Sequence, residues 1–244
     1  LGLVILILTV IAWKKPELGQ RRLTVCLSLL VMFQGALGMW TVTLLVKPVI
    51  VMAHLMGGLA TLSLLLWLLL RINNKRLSAD KRGNKTKHLA AMGLVVLLIQ
   101  IALGGWTSTN YAALACPDFP TCFGDSWNPA LDYKEGFVLW RGLGVDYEFG
   151  VLNNEARAAI HWVHRIGALV TTIILGSLSL ILFRLGAIKE SLMLGGLLTM
   201  QVLLGIFNVL LNLPLHVAVA HNAVAALLLL SVVYVNFRLN KVIA

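Results

Sequence analysis

Long apolar runs broken by short polar or basic stretches organise this chain. The runs fall at about Leu1–Trp13, Leu23–Val46, Pro48–Leu70, Leu89–Trp106, Ala158–Phe183, Ser191–Leu211 and Pro214–Phe237. All but the first reach the ~20 residues a helix needs to span the hydrocarbon core of a bilayer. The pattern predicts an all-α integral membrane fold of about seven segments, the first incomplete. At 1.5 Å per residue, Leu1–Trp13 would cover only about two-thirds of the core. The chain also starts without a methionine, so the expectation is a helix cut off at its start. Nothing at Leu1 reads as the charged n-region and small-residue cleavage site of a signal peptide.

Composition agrees. Hydrophobic residues fill 59% of the 244 positions and charged residues 12%, against roughly one-quarter charged in a soluble domain. Basic residues crowd alternate breaks: Lys14, Lys15, Arg21 and Arg22, then Arg71, Lys75, Arg76, Lys81, Arg82, Lys85 and Lys87, then Arg184 and Lys189, with Arg238 and Lys241 in the tail. The positive-inside rule makes these the cytoplasmic breaks. Seven of the ten acids (Asp118, Asp125, Asp132, Glu135, Asp146, Glu148 and Glu155) lie in the one long loop that then falls outside. The net charge of +10 therefore describes topology and attraction to anionic lipid, and does not point to a nucleic-acid partner.

The chain also repeats itself. At a constant offset of 167 residues, Gln34, Leu37, Gly38 and Val42 match Gln201, Leu204, Gly205 and Val209, and Ala53-His54 matches Ala220-His221. Pro48 and Pro214 agree within one residue. Each matched pair of segments runs outward and then returns, so the expected halves are parallel repeats about an axis along the membrane normal, unlike the inverted repeats of many transporters. Applied to His164, the offset lands just before Leu1, which also accounts for the short first run. The pattern Gln-x-x-Leu-Gly occurs a third time, at Gln100, Leu103 and Gly104. It reads first as interhelical packing, with glycine allowing close approach and the amide bonding across, ahead of ligand contact.

Of six histidines, His88 lies beside Lys85 and Lys87 at a cytoplasmic helix start, as a solvated or lipid-facing residue would. His54, His161, His164, His216 and His221 gather at the outer ends of helices. An imidazole inside a membrane is a functional hypothesis by default, and His54 and His221 occupy equivalent repeat positions. Zinc would call for closely spaced ligands with cysteine or carboxylate help, whereas haem iron takes axial ligands from opposite faces of a flat ring. His161 and His164 are three apart and point the same way, so one of them pairs with His221. His164 is favoured for its depth and for Arg165 beside it, a guanidinium suited to a haem propionate or to the headgroups. His161 and His216 then sit nearer the surface, as neighbours of the pocket.

The outer loop, 107–157, is long enough to have work of its own. Within it Cys116 and Cys122, flanked by Pro117 and Pro120, lie on the oxidising side, where a disulfide is the default. Closed this way, the loop would form a short lid near the histidines. Cys26, midway along an apolar run, is expected to be inert packing.

The stretch Gly104-Gly105-Trp106-Thr107-Ser108-Thr109-Asn110-Tyr111, the loop Leu114-Ala115-Cys116-Pro117-Asp118-Phe119-Pro120-Thr121-Cys122, His161-x-x-His164-Arg165 and the two later-helix histidines together resemble the haem A synthase family of cytochrome oxidase assembly. The resemblance covers the whole chain. It implies eight transmembrane helices in two four-helix halves, here 1–72 for the remainder of the substrate half, 73–88 for a cytoplasmic linker and 89–244 for the cofactor half. It implies haem b held by His164 and His221, and the substrate haem O held through its iron by His54. The family's reaction oxidises the C8 methyl of haem O to a formyl. The bacterial inner (plasma) membrane is the implied location, haem O synthase and the oxidase assembly machinery are the implied partners, and a homo-oligomer is left open. The family's Glu-x-x-His-Arg motif, carrying the candidate catalytic acid and the second substrate-half histidine, is expected before Leu1. No catalytic residue is therefore assigned, and the stretch Leu1–Ala244 is expected to be inactive by itself. Two rivals share the ligands: a membrane b-type cytochrome for electron transfer, and a haem carrier without chemistry.

Overall fold

The computed structural model describes residues 1–73, 83–124, 130–142 and 144–240, whose regular elements are helices, with no strand among them. Helix α1 (Gly2–Lys14) is short; α2 (Arg21–Thr43), α3 (Pro48–Ile72), α4 (Asn84–Thr109), α6 (Asn154–Arg184), α7 (Ile188–Leu210) and α8 (Leu215–Leu239) are each long and apolar enough to cross a membrane. A four-residue helix, α5 (Tyr133–Gly136), lies within the long loop. The protein is a multi-pass membrane protein, and its outward surface fits: Leu29, Met32, Phe33, Val42, Leu169, Ile173 and Leu180 are all exposed. In water such a surface would aggregate; in lipid it costs nothing.

Helix boundaries exceed the apolar runs at their polar ends. Helix α4 begins at Asn84, so the last residues of the expected 73–88 linker are helical, and residues 74–82 lie outside those described. Helix α6 begins at Asn154 because the Asn153 side chain accepts a hydrogen bond from the Ala156 amide at 2.8 Å, the usual service of an Asn N-cap.

Lipid tails are as apolar as leucine, so helices in a bilayer associate through close packing and polar contacts. Contacts α4·α6, α6·α7, α7·α8 and α4·α8 close a four-helix ring, while α1, α2 and α3 pack in sequence and α3 leans on α4 and α8. At the end nearer residues 73–83, the ring is filled by buried Leu97, Leu175, Leu178, Leu182, Leu194, Leu228 and Val232, with Leu66 and Trp67 of α3 packed against them. Polar ties join helices there: Asn236 donates to the Ala90 carbonyl at 2.9 Å, Ser191 donates to the Ser179 carbonyl at 2.8 Å, and Arg238 pairs with Glu190 at 3.0 Å.

The packing does not continue along the ring. No residue is buried in Leu98–Gly104 of α4, Trp162–Val170 of α6, Thr199–Asn208 of α7 or Ala218–Ala223 of α8. All four helices thus loosen at one level, over about 9–15 Å of rise at 1.5 Å per residue.

Two turns are built alike. After α2, Val46 N–H bonds to Thr41 O and Leu45 N–H to Val42 O; after α7, Leu213 N–H bonds to Asn208 O and Asn212 N–H to Val209 O. These are Schellman closures. In both, two successive residues without glycine's freedom adopt left-handed backbone: Leu45 (φ 52°) with Val46 (φ 57°), and Asn212 (φ 56°) with Leu213 (φ 59°). A left-handed conformation costs an L-residue about 1–2 kcal/mol, so the same double cost at positions 167 residues apart marks a shared local design.

Candidate functional site

The loosened level of the ring holds His164 and His221. Helix α6 brings His164 against α4, where a Cβ at Gly104 would come within 3.2 Å of the His164 ring; α8 brings His221 against α7, where a Cβ at Gly205 would come within 3.2 Å of its ring. In the other group, a Cβ at Gly38 of α2 would stand 3.4 Å from the His54 ring on α3. Each glycine of the thrice-repeated pattern therefore provides the space in which a neighbouring helix's histidine rests.

The glutamines of the pattern reach the same rings in two cases of three. Nε2 of Gln100 is 3.0 Å from Nδ1 of His164 and donates to the His164 carbonyl at 3.0 Å. Nε2 of Gln201 is 3.2 Å from Nε2 of His221, whose Nδ1 is buried without a partner among the described residues. Gln34 instead lies over Gly57, where a Cβ would meet its Nε2 at 1.7 Å, and both that nitrogen and Nδ1 of His54 are buried without partners among the described residues. Close approach at glycine with the amide bonding across, the first expectation for this pattern, is what Gln100–Gly104 and Gln201–Gly205 show; the spacing specified a helix face and not that a histidine would meet it.

His161 and Arg165 serve the loop. His161 is buried, and Cys116 N–H donates to its Nδ1 at 3.2 Å. Arg165 donates to the carbonyls of Cys116 (2.7 Å), Asp118 (2.7 Å) and Thr121 (2.8 Å), with Nε 3.3 Å from Nε2 of His161. The guanidinium, which its position suited to a propionate or to the headgroups, is thus largely occupied by backbone. Its five N–H donors in a rigid fork suit three carbonyls converging from one bend. Cys116 and Cys122 are bonded to each other and buried with Ala115 and Ala158, so the closed loop sits directly on the start of α6. His216 is exposed at the start of α8, His88 is exposed at the start of α4, and Cys26 is exposed on α2 instead of packed.

The rest of the long loop crosses to the other group of helices. Trp106 donates through Nε1 to the Gly136 carbonyl at 2.9 Å, and Val49 and Met52 of α3 pack with Trp106, Leu152, Ala156 and Ile160. Beyond α5, Tyr147 N–H bonds to the Leu45 carbonyl at 3.2 Å. Lys47 is 2% exposed; its ammonium donates to the Gly142 carbonyl and lies 3.5 Å from the Trp140 ring centroid and 6.0 Å from that of Tyr147. Burial raises the pKa of the Tyr147 phenol, against a smaller opposing pull from Arg141, so it stays neutral beside the lysine. This crossing brings Asp146 and Glu148 to a cleft of about 500 Å³ whose other walls are Thr41, Val42, Leu45, Val46, Val51 and His54. A groove of similar size on α7, lined by Gly195, Gly196, Thr199, Met200 and Leu203, holds no titratable group. Sequence reading missed Lys47, Asp146 and Glu148; the one available signal was an isolated lysine in a break otherwise poor in basic residues.

Comparison with known proteins gives this geometry its family. A sequence profile described as "Cytochrome oxidase assembly protein" matches residues 1–233. The chain is 47% identical over 241 residues to a protein of Shewanella oneidensis named heme A synthase, covering 98% of this chain and 72% of that one. It is 27% identical over 249 residues to the heme A synthase of Rhizorhabdus wittichii, covering 99% and 68% respectively, and 29% identical over 220 residues to that of Erythrobacter litoralis, covering 87% and 61%. The chain with histidines seated on repeated glycines belongs to the cytochrome oxidase assembly protein family, alongside these heme A synthases.

Proposed function

We propose that this protein is a haem A synthase, oxidising the C8 methyl of haem O to a formyl through successive hydroxylations and so supplying haem A for cytochrome c oxidase. The observation that carries the reading is the pair His164 and His221, each resting on a glycine and touched by a glutamine, at the one level where all four helices of the ring loosen. Residues present fit a haem: imidazole is a common axial ligand of its iron, the glycines leave room for the rings, and the buried Nδ1 of His221 lacks a partner among the described residues. When bound, haem b supplies one-electron chemistry. His164 and His221 hold it, and Arg165 and His161 hold the loop over it.

In the same reading residues 1–72 are part of a substrate half, 73–88 a cytoplasmic linker and 89–244 the cofactor half, the two halves being parallel repeats. The matching turns at Leu45-Val46 and Asn212-Leu213 support that duplication. His54 holds the substrate's iron, in the cleft that Asp146 and Glu148 border. No catalytic acid is assigned. His54, His161, His164, His216 and His221, the long loop and the cysteine pair face the periplasmic side of a bacterial inner membrane, with haem O synthase as the supplier of substrate.

The electron-transfer reading needs haem at both membrane faces, and at the other end His88 is the one histidine among the described residues and is exposed. Incubating the full-length natural protein, embedded in membrane, with haem O, then extracting and chromatographing the haems, tests the proposal. A formyl-bearing haem A peak is expected; recovery of unchanged haem O alone would leave a carrier.

A further inference from the structure

Resting on the reading that His164 and His221 hold a resident haem, we propose that Arg157 binds that haem's propionate carboxylates. Arg157 stands seven residues before His164 on α6. Seven residues are almost two full turns, which puts both on one face with Arg157 about 10 Å nearer the disulfide-closed loop. The flanks of that face are taken. On one side Ala156 and Ile160 pack with Trp106 and Gly167 meets Gln100; on the other Ala158 packs with the cysteine pair and Arg165 clamps the loop. Arg157 and His164 share the stripe between them. Arg157 is half-buried, and its Nε is shut off from solvent with no hydrogen-bond partner among the described residues.

A haem is apolar except at its two propionates, and a carboxylate left in apolar surroundings without a partner is costly. The inner part of the ring, closed by Leu97, Leu175, Leu178 and Leu228, offers them nothing, so the propionate edge belongs at the outer mouth. Few cations stand there. Arg165 is occupied by the loop, Lys47 donates to the Gly142 carbonyl against Trp140, Arg141 pairs with Glu135 at 2.6 Å, and Lys134 is exposed on α5. Arg157 is left with no ion pair among the described residues. Helix stability does not call for it, because a cation one turn into a helix faces the positive end of the dipole, and α6 already has its cap in Asn153. Snorkelling to the headgroups would keep the charged end in water, whereas Nε is buried. A guanidinium meets a carboxylate through two parallel N–H···O bonds, so Nε and one Nη fasten the outer edge of the haem while two imidazoles hold its iron.

The test titrates the full-length natural protein, purified without haem in detergent, with haem b and with haem b dimethyl ester, whose propionates carry no charge. It follows the low-spin Soret band and the midpoint potential. Arg157→Gln should weaken haem b binding about tenfold or more and lower its midpoint potential, because removing a cation beside the haem favours ferric iron. Arg157→Lys, which keeps the charge, should hold the potential near wild type. Toward the diester, Arg157→Gln and wild type should match in affinity and potential, which isolates the pairwise contact. Equal losses for haem b and diester would mean that Arg157 supports the fold or meets a lipid phosphate, and no loss for either would mean that it binds neither; both results overturn the inference. His164→Ala and His221→Ala test the underlying reading separately. If either keeps the low-spin band, the ligand assignment falls and this inference with it; if both lose it while Arg157→Gln treats haem b and diester alike, the inference alone is overturned.

Discussion

Arg165 binds Cys116 at its carbonyl oxygen, 2.7 Å from Nη2, and through Cys116 it binds the disulfide-closed loop to the helix that carries His164. Two further carbonyls complete the clamp. Hydrogen bonds to a charged group contribute about 1.5–3 kcal/mol each where they are shielded, so even one of these is worth a factor of ten or more in local opening.

Arg165→Lys keeps the charge and loses the fork. Alkylation of Cys116 and Cys122 in the presence of a mild reductant should then run about tenfold faster or more, the factor set by one lost bond. Equal labelling rates in variant and wild type would show that the loop is held by its apolar contacts with Ala158 and Trp162 instead.

The glycine seats make a graded prediction. At Gly104 and Gly205 an added methyl would approach the ring within 3.2 Å, and at Gly38 within 3.4 Å. Such contacts require a neighbour to yield by a few tenths of an ångström, so Gly104→Ala and Gly205→Ala should shift the low-spin haem b electron paramagnetic resonance signal without abolishing it. Gly38→Ala should leave that signal alone. A leucine at 104 or 205 should abolish haem b binding, because no small displacement accommodates it. An unchanged spectrum in Gly104→Leu would place His164 elsewhere.

Lys47→Met removes an ammonium buried against Trp140 and Gly142. A desolvated cation–π contact is worth about 2 kcal/mol, enough for roughly thirtyfold more frequent opening of the strap it fastens. Hydrogen exchange at the Tyr147 amide, which bonds to Leu45 O in the closed form, should accelerate accordingly. Unchanged exchange there would mean that the strap is held from its α5 end.

Spans were legible because bilayer thickness imposes a length on every crossing helix and leaves little choice of secondary structure. Ends were less legible. Asn84–His88 reads as a polar break, yet its backbone is the first turn of α4, since polar residues outside the apolar layer reveal nothing about helicity. The site was half legible. His164, His221 and the Gln-Gly pattern stand out as text, but that Gly104 faces His164 and Gly205 faces His221 is a fact of which helices touch. Arg165 shows the limit from the other side: a guanidinium at a helix start suits an acid group or a ring of carbonyls equally well, and only the folded loop decides. Lys47 carried no pattern at all, because its partners, Gly142 and Trp140, lie almost a hundred residues away in a loop without periodicity.

Leucines buried at the end nearer residues 73–83, with Asn236 and Ser191 tying helices beside them, stand apart from the loosened level where the histidines lie. Biogenesis can therefore proceed in two acts. Insertion and helix assembly draw on contacts that owe nothing to the pigment, so newly made protein can reside in the bilayer in a stable, receptive form.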